Sequence, residues 1–132
     1  MANKYKGEVK LKLGGKELIL RPTFGALAEI EDRSGKYITE IFGELERGRV
    51  SIKVLAVIIS SGAAAANPDE APTLNEAGDA IRKDGMLAIM KQRDDEGHSP
   101  LAQFLLYAIT GDEKEPVKQN PPDPEPSAPG SE

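Results

Sequence analysis

Val9-Lys10-Leu11-Lys12-Leu13-Gly14-Gly15-Lys16-Glu17-Leu18-Ile19-Leu20-Arg21-Pro22-Thr23-Phe24 is the stretch that decides the fold class. Val9, Leu11 and Leu13 alternate with lysines, the period of a strand with one face buried, and Lys16 to Leu20 reads as a second strand. Between them Gly14-Gly15 accepts the positive φ that a tight hairpin turn requires. Pro22 ends the second strand, because proline has no N–H to give to a ladder. Thr23 then caps a helix whose Phe24, Leu27, Ala28 and Ile30 lie along one side, and Gly35 supplies its left-handed stop. A hairpin that runs straight into a helix makes the chain α+β.

Downstream, helices dominate. Ile38, Ile41, Phe42 and Leu45 recur at the spacing of one buried stripe, and Gly48 closes that helix. Ser51 caps a third, in which Val54, Leu55, Val57, Ile58 and Ile59 cover nearly every direction around the axis. Asn67 to Pro72 forms a loop, and Thr73-Leu74-Asn75-Glu76 has the spacing of a capping box. The helix it starts runs through Ile81 towards Met90, with Gly78 and Gly85 as points where it kinks or breaks. After the polar Asp94 to Gly97, Ser99-Pro100 reads as N-cap and first residue of a last helix, Leu101 to Thr110, stopped by Gly111. The expected architecture is an N-terminal β-hairpin followed by four to five helices in one domain, residues 1–111. Residues 112–132 hold six of the ten prolines and one large apolar residue, Val117. They are expected to form a disordered acidic tail.

Composition narrows the function classes. The 132 residues include no cysteine, which rules out disulfides and cysteine-based zinc sites and suits a reducing cytoplasm. Net charge is −5, of which the tail's six acids and two lysines account for −4, so residues 1–111 are nearly neutral. Nucleic-acid binding is therefore not expected, and the cluster Lys4, Lys6, Lys10, Lys12 and Lys16 reads as a solvated strand edge. The apolar run Val54 to Ile59 is broken by Ser60-Ser61-Gly62 and is too short for a bilayer.

Catalytic constellations are absent. His98 is the single histidine and lies in a polar loop, which leaves no partner set for a hydrolytic triad. Gly14-Gly15-Lys16 lacks the earlier glycine and the following helix of a phosphate loop. Asp94-Asp95-Glu96-Gly97 lacks the alternating ligands and distant Glu of a calcium loop, and Ser60-Ser61-Gly62 follows a helical pattern where a nucleophile elbow needs a strand. The expectation is a protein that is not an enzyme and takes no metal and no cofactor.

Two helices carry more apolar residues than one stripe needs. In the last, Leu101, Phe104, Leu105 and Ala108 form one face while Leu106, Tyr107 and Ile109 point elsewhere. Such helices either insert deeply into the core or present a face to a partner. On the second reading the partner-binding candidates are Val54, Ile58, Leu101, Phe104, Leu105, Leu106 and Ile109.

The order of features from Gly7-Glu8-Val9-Lys10-Leu11 through Gly14-Gly15-Lys16, the Leu18 to Arg21 strand and Pro22-Thr23-Phe24-Gly25-Ala26-Leu27-Ala28-Glu29-Ile30-Glu31 to Gly35 resembles the gene transfer agent and phage tail protein family counted among tail assembly chaperones. The likeness extends over the Ile38 to Leu45 helix and the apolar helix after Gly48-Arg49-Val50-Ser51, covering residues 7–66. The resemblance implies a helper in the bacterial host cytoplasm that binds the tape measure protein, assists assembly of the tail tube protein and stays out of the mature particle. A homo-oligomer is compatible with that role. Some members of the group are described as tail tube proteins, so the alternative is a structural tail tube or tail-completion subunit. A small regulatory binding protein is a third reading. Tube-forming subunits usually offer long sheet edges, and one hairpin followed by helices favours the helper over the structural subunit, while the lack of a basic surface argues against a regulator that binds DNA.

Overall fold

The computed structural model describes residues 7–111. The hairpin forms as its pattern requires. Strand β1 (Val9–Leu13) pairs antiparallel with β2 (Lys16–Leu20) in a two-stranded sheet, in the register Leu13↔Lys16, Leu11↔Leu18 and Val9↔Leu20. Gly14 and Gly15 take φ of 62° and 79°, the left-handed pair that a two-residue turn demands. Leu11, Leu13 and Leu20 point into the core, and the lysines between them face outward.

Six helices follow. Helix α1 (Phe24–Ser34) starts at Thr23, whose hydroxyl accepts from the Ala26 N–H, and stops at Gly35 in the left-handed region. Helix α2 (Ile38–Glu46) begins where Glu40 Oε1 accepts from the Tyr37 N–H at 3.2 Å and Glu31 Oε2 from the Ile38 N–H at 2.9 Å. Helix α3 (Ile52–Ala66) is capped by Ser51. At α4 (Leu74–Asp84) the reciprocal Thr73–Glu76 capping box is present, at 3.1 and 2.9 Å. Gly85, at φ 97°, then breaks the chain before a short α5 (Met86–Met90), so the stretch from Leu74 to Met90 is two helices and the total is six where four to five were expected. Gly78 stays inside α4 without a break. Helix α6 (Pro100–Thr110) has Ser99 as N-cap, proline in its first turn, and Gly111 as its end.

Helix α3 is the centre of the molecule. It packs against α1, α4 and β2, and every residue from Val54 to Ala63 is buried. Fully burying a Leu, Ile or Val side chain is worth about 1.5–3 kcal/mol, so the run Leu55, Val57, Ile58, Ile59 is a large share of the driving force. Its polar residues are accommodated one by one. Ser60 donates to the Pro72 carbonyl at 3.0 Å, and the Ser61 hydroxyl lies 3.5 Å from Arg33 Nη1. Gly62 lets the hairpin and α6 close in, since a Cβ there would sit 3.0 Å from the Phe104 ring and 3.1 Å from Leu20 Cβ. The tail expected over residues 112–132 lies outside the described residues, as do Lys4 and Lys6.

Candidate functional site

Of the seven candidate partner-binding residues, five are committed to the chain's own core. Val54 and Ile58 are enclosed by the elements around α3. Leu101, Phe104 and Leu105 are fully buried where α6 packs on α2 and β1. The remaining two, Leu106 and Ile109, lie on the outer side of α6, half-buried and 42% exposed respectively. Of the seven, only those two offer apolar surface to another molecule in this conformation. Phe24, Tyr37, Leu87 and Ile52 are the other large apolar side chains left outside among the described residues.

The two outer edges of the hairpin differ. On β1, the Lys12 N–H donates to Gln92 Oε1 at 2.9 Å and the Lys12 carbonyl accepts from Gln92 Nε2 at 2.6 Å, so a side-chain amide occupies that edge as a strand would. Beyond the strand, the Gly14 N–H donates to Asp84 Oδ2 at 2.8 Å. Because Lys12 points its peptide groups outward, its opposite number Glu17 does so too on β2, and by alternation so do Ile19 and Arg21. The Arg21 N–H is taken by the Gly62 carbonyl at 3.0 Å, which leaves the N–H and C=O of Glu17 and Ile19 along an edge that no other strand covers among the described residues. Beside that edge lies a groove of about 190 Å³ bordered by Ala63, Ala66, Glu70 and Ala71. At its head Glu8, only 6% exposed, pairs with the Arg21 guanidinium, an ion pair that ties the start of β1 to the end of β2.

Charged chemistry elsewhere is that of a protein surface. Asp94, Glu96 and His98 bring one ligand atom each within 4.8 Å of one another, making them the set of described residues able to approach a cation together. All three are exposed, and Asp94 Oδ1 already accepts the N–H groups of Glu96 and His98 at 2.9 Å, which closes the loop. The Lys36 ammonium is held above its ordinary pKa by its hydrogen bond to Glu44 at 2.7 Å, and Asp79 below its own by the hydrogen bond from Arg82, with Lys83 adding to it. Lys36 lies in the loop before α2 and pairs with Glu44 on that helix, while Asp79 and Arg82 line a groove between α4 and the start of α3.

Gln92 and the pairing of the buried Glu8 with the half-exposed Arg21 were not foreseen. The only trace of the pair in sequence is a Glu one place before one strand and an Arg one place after the other. Among the described residues, no helix is long and apolar enough to cross a membrane.

Against this geometry the comparisons with known proteins are specific. The family model described as phage tail tube protein, GTA-gp10, matches residues 6–88, which takes in the hairpin, helices α1 to α4 and the start of α5. No curated protein and no solved structure gives a significant match. A tail tube is a structural part of the mature particle, which overturns the expectation of a cytoplasmic helper left out of it. With well over half its length matched, and with the strand-to-helix segment that first carried the likeness inside the match, the chain belongs to the GTA-gp10 family of phage tail tube proteins.

Proposed function

We infer that this chain is a structural, non-enzymatic subunit of a phage-type tail, working by polymerisation with further copies and with other tail proteins. The observation that carries this reading is the family match across the whole hairpin-to-α4 scaffold. Its fold supports it: the core takes up most of the strongly apolar side chains, and among the described residues an uncovered strand edge and separate large side chains such as Phe24 and Leu87 remain for contacts between subunits. To test it, the purified full chain is followed by electron microscopy and sedimentation, alone and with its neighbouring tail proteins, and particles are examined by mass spectrometry. Rings or tubes containing the chain, and its presence at stoichiometric level in purified particles, are expected. A chain that never assembles and is missing from particles would sink the reading.

A second reading is a helper that binds the tape measure protein, and the helical content of the fold with its single two-stranded sheet favours it. Its contact surface would be the outer side of α6. Co-expression of the long partner with wild type, Leu106→Asp and Ile109→Asp separates the two: loss of partner solubility with the folded variants supports the helper, and unchanged solubility removes α6 as its surface.

A further inference from the structure

We propose that the outer edge of β2 receives residues 1–6 of a second copy of this chain as an added strand. This rests on the tail-subunit reading and supplies its polymerising joint. The receiving edge is the run of outward N–H and C=O groups on Glu17 and Ile19, closed at one end by the Arg21 to Gly62 hydrogen bond. An exposed strand edge of this kind is a template for pairing with another chain. The neighbouring wall is small: Ala63, Ala66 and Ala71 let a backbone approach that larger side chains would keep away.

Charge selects the occupant. The groove is lined by the Glu8–Arg21 pair, by Glu17, whose carboxylate lies 3.7 Å from the exposed Lys10 ammonium, and by Glu70, so acids are in excess there, while residues 1–6 carry Lys4 and Lys6 and no acid. Two residues apart, those lysines fall on one face of an extended strand and so reach the acids together. Residues 112–132, the other long stretch outside the described part, carry six acids and are repelled by the same groove. Length also fits. Six extended residues span about 20 Å at roughly 3.3 Å each, enough to run the length of a five-residue strand.

The contact is between copies because of where the chain enters the sheet. Gly7, at φ 74°, lies directly beneath the Tyr107 ring of α6, and α6 packs on β1. The chain therefore arrives on the β1 side. The open edge of β2 is about two strand spacings from β1, near 10 Å, on the side of β2 away from it, so a segment of about 20 Å that crossed over within one chain would have too little length left to run along the strand. A donated segment on one side and an accepting edge on the other make a head-to-tail contact, which closes into rings or continues as a filament.

The chain has no cysteine, so single introduced thiols report the contact directly. Full-length Lys4→Cys is mixed with full-length Glu70→Cys under mild oxidation, with Arg47→Cys, exposed at the end of α2, as the control acceptor. The expected result is a disulfide-linked pair of the two chains, at least tenfold more abundant than with the control. Adding Glu17→Pro to the acceptor, which removes an outward N–H and leaves the pairing with β1, is expected to abolish the excess. Equal linking to Glu70→Cys and Arg47→Cys overturns the proposal, as does a monomer cross-linked within itself when one chain carries both Lys4→Cys and Glu70→Cys. Microscopy of the wild type separates the two levels. Tubes without selective linking sink the edge contact and leave the tail reading standing. Selective linking without tubes keeps the contact and sinks the tail reading, and absence of both removes the two together.

Discussion

Helices α3 and α6 look alike in sequence and end in different situations. Both are apolar around most of their circumference. Helix α3 is surrounded, with α1, α4 and β2 on its sides, so even its serines and Gly62 are inside. Helix α6 has neighbours on one side only, α2 and β1, and its Leu106 and Ile109 are left at the surface. A helix that is apolar all round thus has two solutions, and the number of elements available to cover it decides between them. The two helices meet where the Phe104 ring lies against Gly62.

The comparison can be broken at that contact first. Phe104→Ala empties a fully buried site between α6, α3 and the hairpin, and should cost about 3–5 kcal/mol in urea denaturation. A loss under 1 kcal/mol would mean that α6 is only loosely attached to the core.

Gly62→Ala approaches the same contact from the other helix. Helix propensity alone favours alanine by about 1 kcal/mol. The new methyl, however, would lie 3.0–3.1 Å from Phe104 and Leu20, both fully buried and neither a flexible chain end. Overpacking of this kind costs about 1–3 kcal/mol, so net destabilisation of about 1 kcal/mol is expected. A more stable variant would show that the hairpin yields to α3 more easily than the packing implies.

On the outer side of α6 the expected effect on stability is smaller still. Ile109→Asp replaces a side chain 42% exposed on the last turn, and its unfolding midpoint should stay within about 1 kcal/mol of wild type. Ile58→Asp in α3 is the contrasting substitution and should fail to fold, because it buries a charge with no partner. Equal effects at the two positions would erase the difference between the helices.

How much of this was legible depends on how local the cause is. The Gly14-Gly15 turn, the Thr73–Glu76 box and the glycine stops are written within a few residues of where they act, and they were read correctly. Helical period groups Leu101, Phe104, Leu105 and Ala108 on one face of α6; the first three are buried and Ala108 is exposed, and period alone did not say whether that face meets the core or a partner. What period cannot reveal is which apolar helix is surrounded, so Val54 and Ile58 could be taken either as core or as surface. Gly85 was recognised as a weak point, but a break and a kink look the same until the φ of 97° is known. Gln92 on the β1 edge, 80 residues from Lys12, has no local signature at all. The uncovered edge of β2 is invisible for the same reason, since nothing in Glu17 or Ile19 says that β1 alone has been covered.

The smallest expected effect lies on α4, the helix that screens α3 from water with its inner face and carries ion pairs on its outer one. Asp79 sits between Arg82 at 3.1 Å and Lys83 at 3.7 Å, and its carboxyl is held below its ordinary value of 3.8, chiefly by the Arg82 hydrogen bond. Below an unfolded value near 3.8 the unfolded chain binds the proton first, so the contribution of Asp79 to stability is fully present above that pH. It is lost as pH falls from 3.8 through the lower folded value. Asp79→Asn should therefore be slightly less stable than wild type at neutral pH, and the two urea midpoints should converge in acid. The pair is exposed, so the neutral-pH difference is expected to be small and to shrink further in high salt. A difference that persists unchanged well below pH 3.8 would show that Asp79 acts through something other than its charge, such as packing of its side chain on the α4 surface.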